Sequence, residues 1–179
     1  LEKNAQVIEG QPTKVNLNFG VANSSQLSRA TSPVKDEHKV NNLYVFIFNA
    51  DGSLSKSQFF EYGNLQDKME KDDINNTLTS GKVTIETVSG SGKTIWAIAN
   101  IANVSTNAMR DITPAVLDEI SNLEELQALT ASLQQETIAR GTAFLMSGTH
   151  EDASGNPKKV DIPVGGEISG NIILKRVDA

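Results

Sequence analysis

The stretch that decides the fold is Leu43-Tyr44-Val45-Phe46-Ile47-Phe48, and Asn49-Ala50-Asp51-Gly52 follows it directly. The apolar run is too short for a typical helix and is rich in aromatic and β-branched residues. It therefore predicts a central strand that is covered on both faces. Asp-Gly supplies the positive φ that a tight hairpin turn needs, and residues 57–62 are the expected return strand.

A second strand pattern lies near the start of the chain, at residues 13–21. Its apolar side chains occupy every second position, and they are Val15, Leu17, Phe19 and Val21. A period of two is typical of a half-buried strand. Further strands are expected at residues 83–88, 94–102, 142–146, 160–164 and 172–177. Residues 1–12 are polar and expected to be loose, and residues 22–38 lack periodicity and are expected to form an exposed linker.

The one clear helical pattern lies at residues 114–133. Thr113 is a good N-cap, and Pro114 is tolerated at the first helical position. Ser121-Asn122-Leu123-Glu124 has the pattern of a capping box, which predicts that a second short helix begins there. The strands do not alternate with helices, so a doubly wound parallel sheet is not expected. Many short strands separated by turn signals indicate a sandwich or a barrel. We predict an all-β sandwich of about seven to eight strands, with this small helical insertion packed at one edge or end.

Composition excludes several function classes. The 179-residue chain carries a net charge of −6, which argues against nucleic acid as a partner because phosphate binding needs a basic surface. It contains no cysteine, so disulfides, thiolate metal sites and cysteine nucleophiles are absent. No apolar run approaches the roughly 20 residues that a membrane-spanning helix requires.

One glycine-rich motif invites comparison with a nucleotide-binding loop. Gly90-Ser91-Gly92-Lys93-Thr94 ends like a P-loop, but Thr87 stands where the first glycine of that motif belongs. The following residues predict a strand, whereas a P-loop needs a helix whose N-terminus holds the phosphates. We interpret the motif as a hairpin turn with an exposed lysine, and we predict no nucleotide binding.

Other polar residues give no pattern of a catalytic or metal site. His38 and His150 lack metal-ligand spacing, and the acidic pairs Asp72-Asp73 and Glu124-Glu125 lack the spacing of a calcium loop. We interpret all of them as solvated surface groups. No Gly-x-Ser-x-Gly motif supports a serine nucleophile. The sequence therefore predicts a protein that is not an enzyme, with no cofactor and no metal.

Four motifs resemble those of the fimbrillin family, the pilus subunits of gut and oral anaerobes. Residues 40–52 resemble the family's buried strand that ends in an Asp-Gly turn. Trp96-Ala97-Ile98-Ala99-Asn100-Ile101 resembles its alanine-asparagine strand, and Phe144-Leu145-Met146-Ser147-Gly148 resembles its strand ending in Met-x-Gly. Residues 173–179 resemble the strand that closes the family's N-terminal domain. The matches run from about residue 13 to residue 179.

This resemblance implies a transthyretin-like Greek-key β-sandwich and export as a lipoprotein to the bacterial surface. Other pilus subunits and an arginine-specific protease are then the partners, and any membrane contact is made through a lipid anchor that this chain no longer carries. Residues 1–29 form an N-terminal segment under this interpretation, and residues 30–179 form the sandwich domain. The family's second sandwich domain is expected outside this chain.

The resemblance also implies polymerisation by strand exchange after cleavage at an arginine. We predict that residues 13–21 are a removable strand, with Val15, Leu17, Phe19 and Val21 filling an apolar groove. The predicted cleavage site is the bond between Arg29 and Ala30. The alternative for this segment is a plain edge strand followed by a flexible loop.

Two functions remain open on the sequence. The first is a pilus subunit that supports adhesion. The second is a surface-exposed carbohydrate-binding or scaffolding module of an outer-membrane lipoprotein. An esterase or phosphatase is the least favoured interpretation, since no catalytic spacing supports it.

Overall fold

A computed structural model describes residues 7–21, 40–61, 70–71, 80–102, 112–133, 145–165 and 167–177. Within these residues the chain forms nine strands and two helices. The strands are β1 (Pro12–Val21), β2 (Asn42–Phe48), β3 (Leu54–Glu61), β4 (Glu70–Lys71), β5 (Ser80–Val88), β6 (Gly90–Ala99), β7 (Met146–His150), β8 (Val160–Ile162) and β9 (Glu167–Arg176). The helices are α1 (Pro114–Leu117) and α2 (Leu123–Leu133).

The strands form one continuous sheet that folds over on itself. Their order is β3-β2-β6-β7-β9-β1-β5-β4, and β8 pairs with β6 beside this path. Each strand pair among the described residues is antiparallel except β1 with β9, which is parallel. The prediction of an all-β sandwich with a small helical insertion is confirmed. The one described strand that the sequence did not predict is β4, which has only two residues.

Strand β2 is covered on both faces, as its unbroken apolar run predicts. Leu43, Val45 and Ile47 point into an inner core between the two halves of the folded sheet, which also contains side chains of β1, β5, β6 and β9. The alternate side chains of β2 point into an outer core beneath the helices, and they are Tyr44, Phe46 and Phe48. Two separate apolar clusters therefore share one strand.

The helical insertion lies over a face of the sheet rather than at its edge or end. Leu117 of α1, Leu126 of α2 and Ile120, which lies between the two helices, pack on the outer core. The physical reason is the composition of β2, because its second set of aromatic side chains needs an apolar cover. Trp96 of β6 is partly buried in the same cluster.

The start of α2 differs by one residue from the predicted capping box. The side-chain oxygen of Asn122 accepts the backbone N–H of Glu125 at 2.9 Å, and the Glu125 carboxylate accepts the N–H of Ser121 at 2.7 Å. The β2–β3 turn is bonded to this helix start, since the N–H of Leu123 donates to the carbonyl of Gly52 at 2.8 Å. Residues 142–144 of the strand predicted at residues 142–146 lie outside the described residues, and β7 begins at Met146.

Candidate functional site

The predicted removable strand, β1, lies in the interior of the sheet. It pairs with β5 in antiparallel register from Pro12 opposite Val88 to Gly20 opposite Ser80. On its other side it runs parallel to β9, from Lys14 beside Glu167 to Val21 beside Leu174. The alternative of a plain edge strand is therefore wrong, because both backbone edges of β1 are paired.

One face of β1 fills the inner core. Val15 and Leu17 are fully buried and Phe19 is 3% exposed, whereas Val21 at the strand end is partly buried. The other face carries Lys14, Asn16 and Asn18, which are exposed or half-buried. Full burial of each apolar side chain contributes roughly 1.5–3 kcal/mol. The sequence pattern thus identified the buried face of the strand. Whether the strand leaves stays a prediction, and Arg29 and Ala30 lie outside the described residues.

The segment before β1, residues 7–11, is bonded to the corner between β5 and β6. Ser89 forms that corner: its carbonyl accepts the N–H of Gly10 at 2.9 Å, and its own N–H donates to the carbonyl of Gln11 at 2.7 Å. The Ser89 hydroxyl accepts the N–H of Gln11 at 3.0 Å and donates to the carbonyl of Ile8. The expectation that residues 1–12 are loose is wrong for segment 7–11.

Lys93 is buried, which corrects the interpretation of its motif as an exposed turn. The residue is 2% exposed and lies in β6, which begins at Gly90. Gly92 has a φ of +68°, and the pairing with β8 shifts register between Gly90 and Lys93. This bulge turns the lysine inward, and a strand rather than a helix follows, so the segment does not have P-loop geometry.

The ammonium group of Lys93 is held by neutral acceptors. It donates to the hydroxyl of Ser55 at 2.9 Å and to the carbonyl of Val88 at 3.2 Å. Burial lowers the pKa of Lys93, and the negative charge of Glu9 acts in the opposite direction. Glu9 is therefore the acidic residue whose charge affects the pKa of Lys93.

Gly90 brings Glu9 and Lys93 together at the β5–β6 corner. A Cβ on Gly90 would lie 2.6 Å from Oε1 of Glu9, 2.5 Å from Cε of Lys93 and 3.2 Å from its Nζ. Any side chain at this position would displace one of the two groups. The other carboxylate oxygen of Glu9 accepts the N–H of Ser91 at 3.1 Å. Sequence reasoning missed this cluster because its members are distant in sequence and the Gly-Ser-Gly pattern is typical of a turn.

His150 is buried at the end of β7, so its interpretation as a solvated loop residue is wrong. It is 6% exposed, and its Nδ1 accepts the backbone N–H of Asn171 at 3.0 Å. The ring packs beside Gly170, where a Cβ would lie in ordinary van der Waals contact with the imidazole at 3.5 Å. The histidine links β7 to β9. His38, Asp72 and Asp73 lie outside the described residues.

A cavity of about 320 Å³ lies between α2 and the outer face of β6, β7 and β9. Its lining includes Trp96, Gln127 and the ion pair between Glu151 and Lys175, whose charged atoms are 3.4 Å apart. The indole N–H of Trp96 donates to the hydroxyl of Thr94 at 3.0 Å, so it is already bonded within β6.

The described residues contain no cluster of three or more metal-ligating side chains. In the same part of the chain, neither helix has the length and apolarity to cross a bilayer.

Residues 13–172 match the family model described as "Major fimbrial subunit protein (FimA)". The chain belongs to this family. The resemblance to fimbrillins is thereby confirmed. Membership of the FimA family supports the interpretation of this chain as a component of a pilus at the cell surface. No curated protein matches the chain in sequence.

A solved structure of a fimbrial protein is similar in fold, and two further structures give lower scores. A fimbrial assembly protein from Parabacteroides distasonis has a TM-score of 0.51 at 17% identity, covering 90% of this chain and 51% of that one. Putative polysaccharide binding proteins from Bacteroides thetaiotaomicron give a TM-score of 0.41 at 16% identity, with 90% and 47% covered. The fimbrial anchor protein Mfa2 from Porphyromonas gingivalis gives 0.37 at 14% identity, with 92% and 51% covered. The chain spans about half the length of each.

Proposed function

We propose that this FimA-family chain is a structural, non-enzymatic subunit of a bacterial surface pilus that supports adhesion. It polymerises by strand exchange at the position of β1. An arginine-specific protease cuts the bond between Arg29 and Ala30, residues 1–29 leave, and a strand from another subunit takes the place of β1. Export through the periplasm as a lipoprotein to the outer membrane would bring the subunit to this protease at the surface.

The observation that carries the proposal is the interior position of β1 at the start of the chain. A cut after Arg29 removes β1 and leaves every other strand on one continuous chain. Its departure frees the backbone edges of both β5 and β9. Two unpaired edges on either side of a gap accept an extended strand readily.

The gap left by β1 is apolar on its inner side. The side chains that meet Val15, Leu17 and Phe19 in the inner core include Ile85 of β5 and Ile172 of β9. Exposing these groups to water is unfavourable, at roughly 25 cal/mol for each Å² of apolar surface. An incoming strand therefore needs apolar side chains at alternate positions, as β1 has.

The test is limited digestion of the chain with an arginine-specific protease, with mass spectrometry of the products. We expect the first cut after Arg29. The trimmed chain should then bind a peptide with the sequence of residues 7–21, or assemble into multimers.

Arg29→Gln is the matched control, since it removes the cleavage site and keeps the rest of the chain. It should resist the first cut and stay monomeric. Protection of Arg29 in the unmodified chain, or a trimmed chain that neither binds the peptide nor assembles, would contradict the proposal.

A further inference from the structure

A carboxylate from the segment that is proposed to leave lies near the buried ammonium of Lys93 and acts on it through its charge. Ser55 and Val88, which accept its hydrogen bonds, belong to the part of the chain that remains after the cut. Glu9 precedes β1 and belongs to residues 1–29. Within the described residues, Glu9 is the carboxylate whose charge acts on Lys93.

Removal of residues 1–29 would take away the carboxylate whose charge acts on this buried cation. Neutral oxygen acceptors solvate an ammonium group but do not neutralise it, and an unpaired buried charge is strongly unfavourable. A strand that fills the empty groove is therefore favoured if it brings a negative charge near Lys93 as well as apolar side chains for the inner core.

We infer that Lys93 selects the incoming strand: the donor from another subunit carries a carboxylate at the position of Glu9, ahead of the apolar residues that replace Val15, Leu17 and Phe19. This inference rests on the proposed strand exchange and adds the chemistry of the partner. A donor that runs in the direction of β1 meets Lys93 at the β5–β6 corner, where Gly90 leaves space for the acid.

The other contacts of the departing segment place few requirements on the sequence of an incoming strand. Ser89 bonds to backbone atoms of Ile8, Gly10 and Gln11, and any sequence supplies such atoms. The inner face of the groove accepts apolar side chains of several shapes, because volume-conserving apolar exchanges are tolerated. The effect of the Glu9 charge on Lys93, across the space that Gly90 leaves between them, is the interaction that requires one particular chemical group.

The test measures peptide binding to the chain nicked between residues 29 and 30 and freed of its N-terminal fragment. A specific protease site inserted within residues 22–39 gives an equivalent nick without relying on Arg29. The probes are a fluorescent peptide of residues 7–21, its Glu9→Gln variant, and a variant that combines Glu9→Gln with Asn18→Asp. Asn18 is exposed in β1, so the third peptide restores the net charge away from Lys93.

We expect Glu9→Gln to weaken binding at least tenfold, which corresponds to about 1.4 kcal/mol. The added Asp at position 18 should not restore the affinity. In a Lys93→Met chain, the native and Glu9→Gln peptides should bind within about threefold of each other, a difference of under ~1 kcal/mol.

Equal binding of the three peptides to the unmodified nicked chain would overturn the inference and leave strand exchange intact. Failure of all three peptides to bind would reject strand exchange, and the inference with it. The peptide series alone decides the matter if Lys93→Met does not fold, because those variants leave the protein unchanged.

Discussion

The hydroxyl of Tyr44 donates a hydrogen bond to the carboxylate of Asp118, joining the outer face of β2 to the turn after α1. Burial, followed by this hydrogen bond, raises the pKa of Tyr44 from its ordinary value of 10.0 to about 12. The phenol also lies 3.2 Å from the hydroxyl of Ser57 in β3. One side chain thus connects the helical insertion with two strands of the sheet.

The raised pKa of Tyr44 predicts a loss of stability in alkali. The folded chain binds this proton more tightly than the unfolded chain, so the contribution is complete below about pH 10 and is lost as the pH rises to about 12. We expect the free energy of unfolding to fall by about 1–2 kcal/mol over this range. Urea unfolding of the wild type and Tyr44→Phe measures it.

Tyr62→Phe is the control, because it removes the chain's other tyrosine. The alkaline loss should persist in Tyr62→Phe and be reduced in Tyr44→Phe. Identical pH profiles for wild type and Tyr44→Phe would contradict this assignment.

We expect position 148, where β7 meets β9, to require glycine. A Cβ at Gly148 would lie 2.0 Å from the carbonyl oxygen of Ile173, which belongs to the backbone and cannot rotate away. We expect Gly148→Ala to lower the free energy of unfolding by about 1–3 kcal/mol, the usual range for overpacking. Gly20→Ala is the matched control in β1, since the nearest atom there is 3.9 Å away. Equal stabilities of the two variants would be evidence against this close contact.

Replacement of Leu17 tests how strongly packing in the inner core holds β1 in the sheet. This side chain is fully buried and its Cδ2 would lie 3.1 Å from a Cβ on Gly170 of β9. Leu17→Ala should reduce the free energy of unfolding by about 2–5 kcal/mol. In a chain nicked after residue 29, it should also speed the release of the labelled N-terminal fragment. Asn18→Ala changes the next, exposed residue and should stay within about 0.5 kcal/mol of wild type; release rates that do not differ would argue against core packing as the restraint.

We expect a substitution at Gly90 to loosen segment 7–11 locally. Gly90→Ala forces Glu9 or Lys93 out of its position, so the amides of Gly10 and Gln11 should exchange with deuterium faster than in wild type. Amides in β2 and the second half of β6 should keep their protection, because those strands pack in both cores. Unchanged exchange at Gly10 and Gln11 would show that the corner tolerates a methyl group.

Local patterns predicted those parts of the fold that depend on near neighbours. The alternation of Val15, Leu17 and Phe19 identified the buried face of β1, and the unbroken run of Leu43 to Phe48 identified a strand between two cores. The partners of β1 could not be predicted in this way. Leu17 lies beside Gly170 in the sheet, and no periodicity connects residues so far apart in sequence.

The candidate site was only partly predictable for the same reason. Gly-Ser-Gly-Lys-Thr is typical of an exposed turn. In the structure, the positive φ of Gly92 turns Lys93 inward, where Ser55 accepts its hydrogen bond and Glu9 lies nearby. His150 follows a short strand and precedes polar residues, so its sequence context indicates solvent. Its burial accompanies pairing with β9, where Asn171 donates a hydrogen bond to the ring.

The parallel pairing of β1 with β9 has a consequence for how the chain folds. Of the strand pairs among the described residues, β1 with β9 joins the two that are farthest apart in sequence. Such contacts form slowly because the entropy of loop closure precedes any gain from pairing. On a ribosome, β1 emerges before β2 to β9 but has no complete groove until β9 has been made. We therefore expect β1 to dock late, which makes the strand that completes folding the same one whose departure would begin assembly.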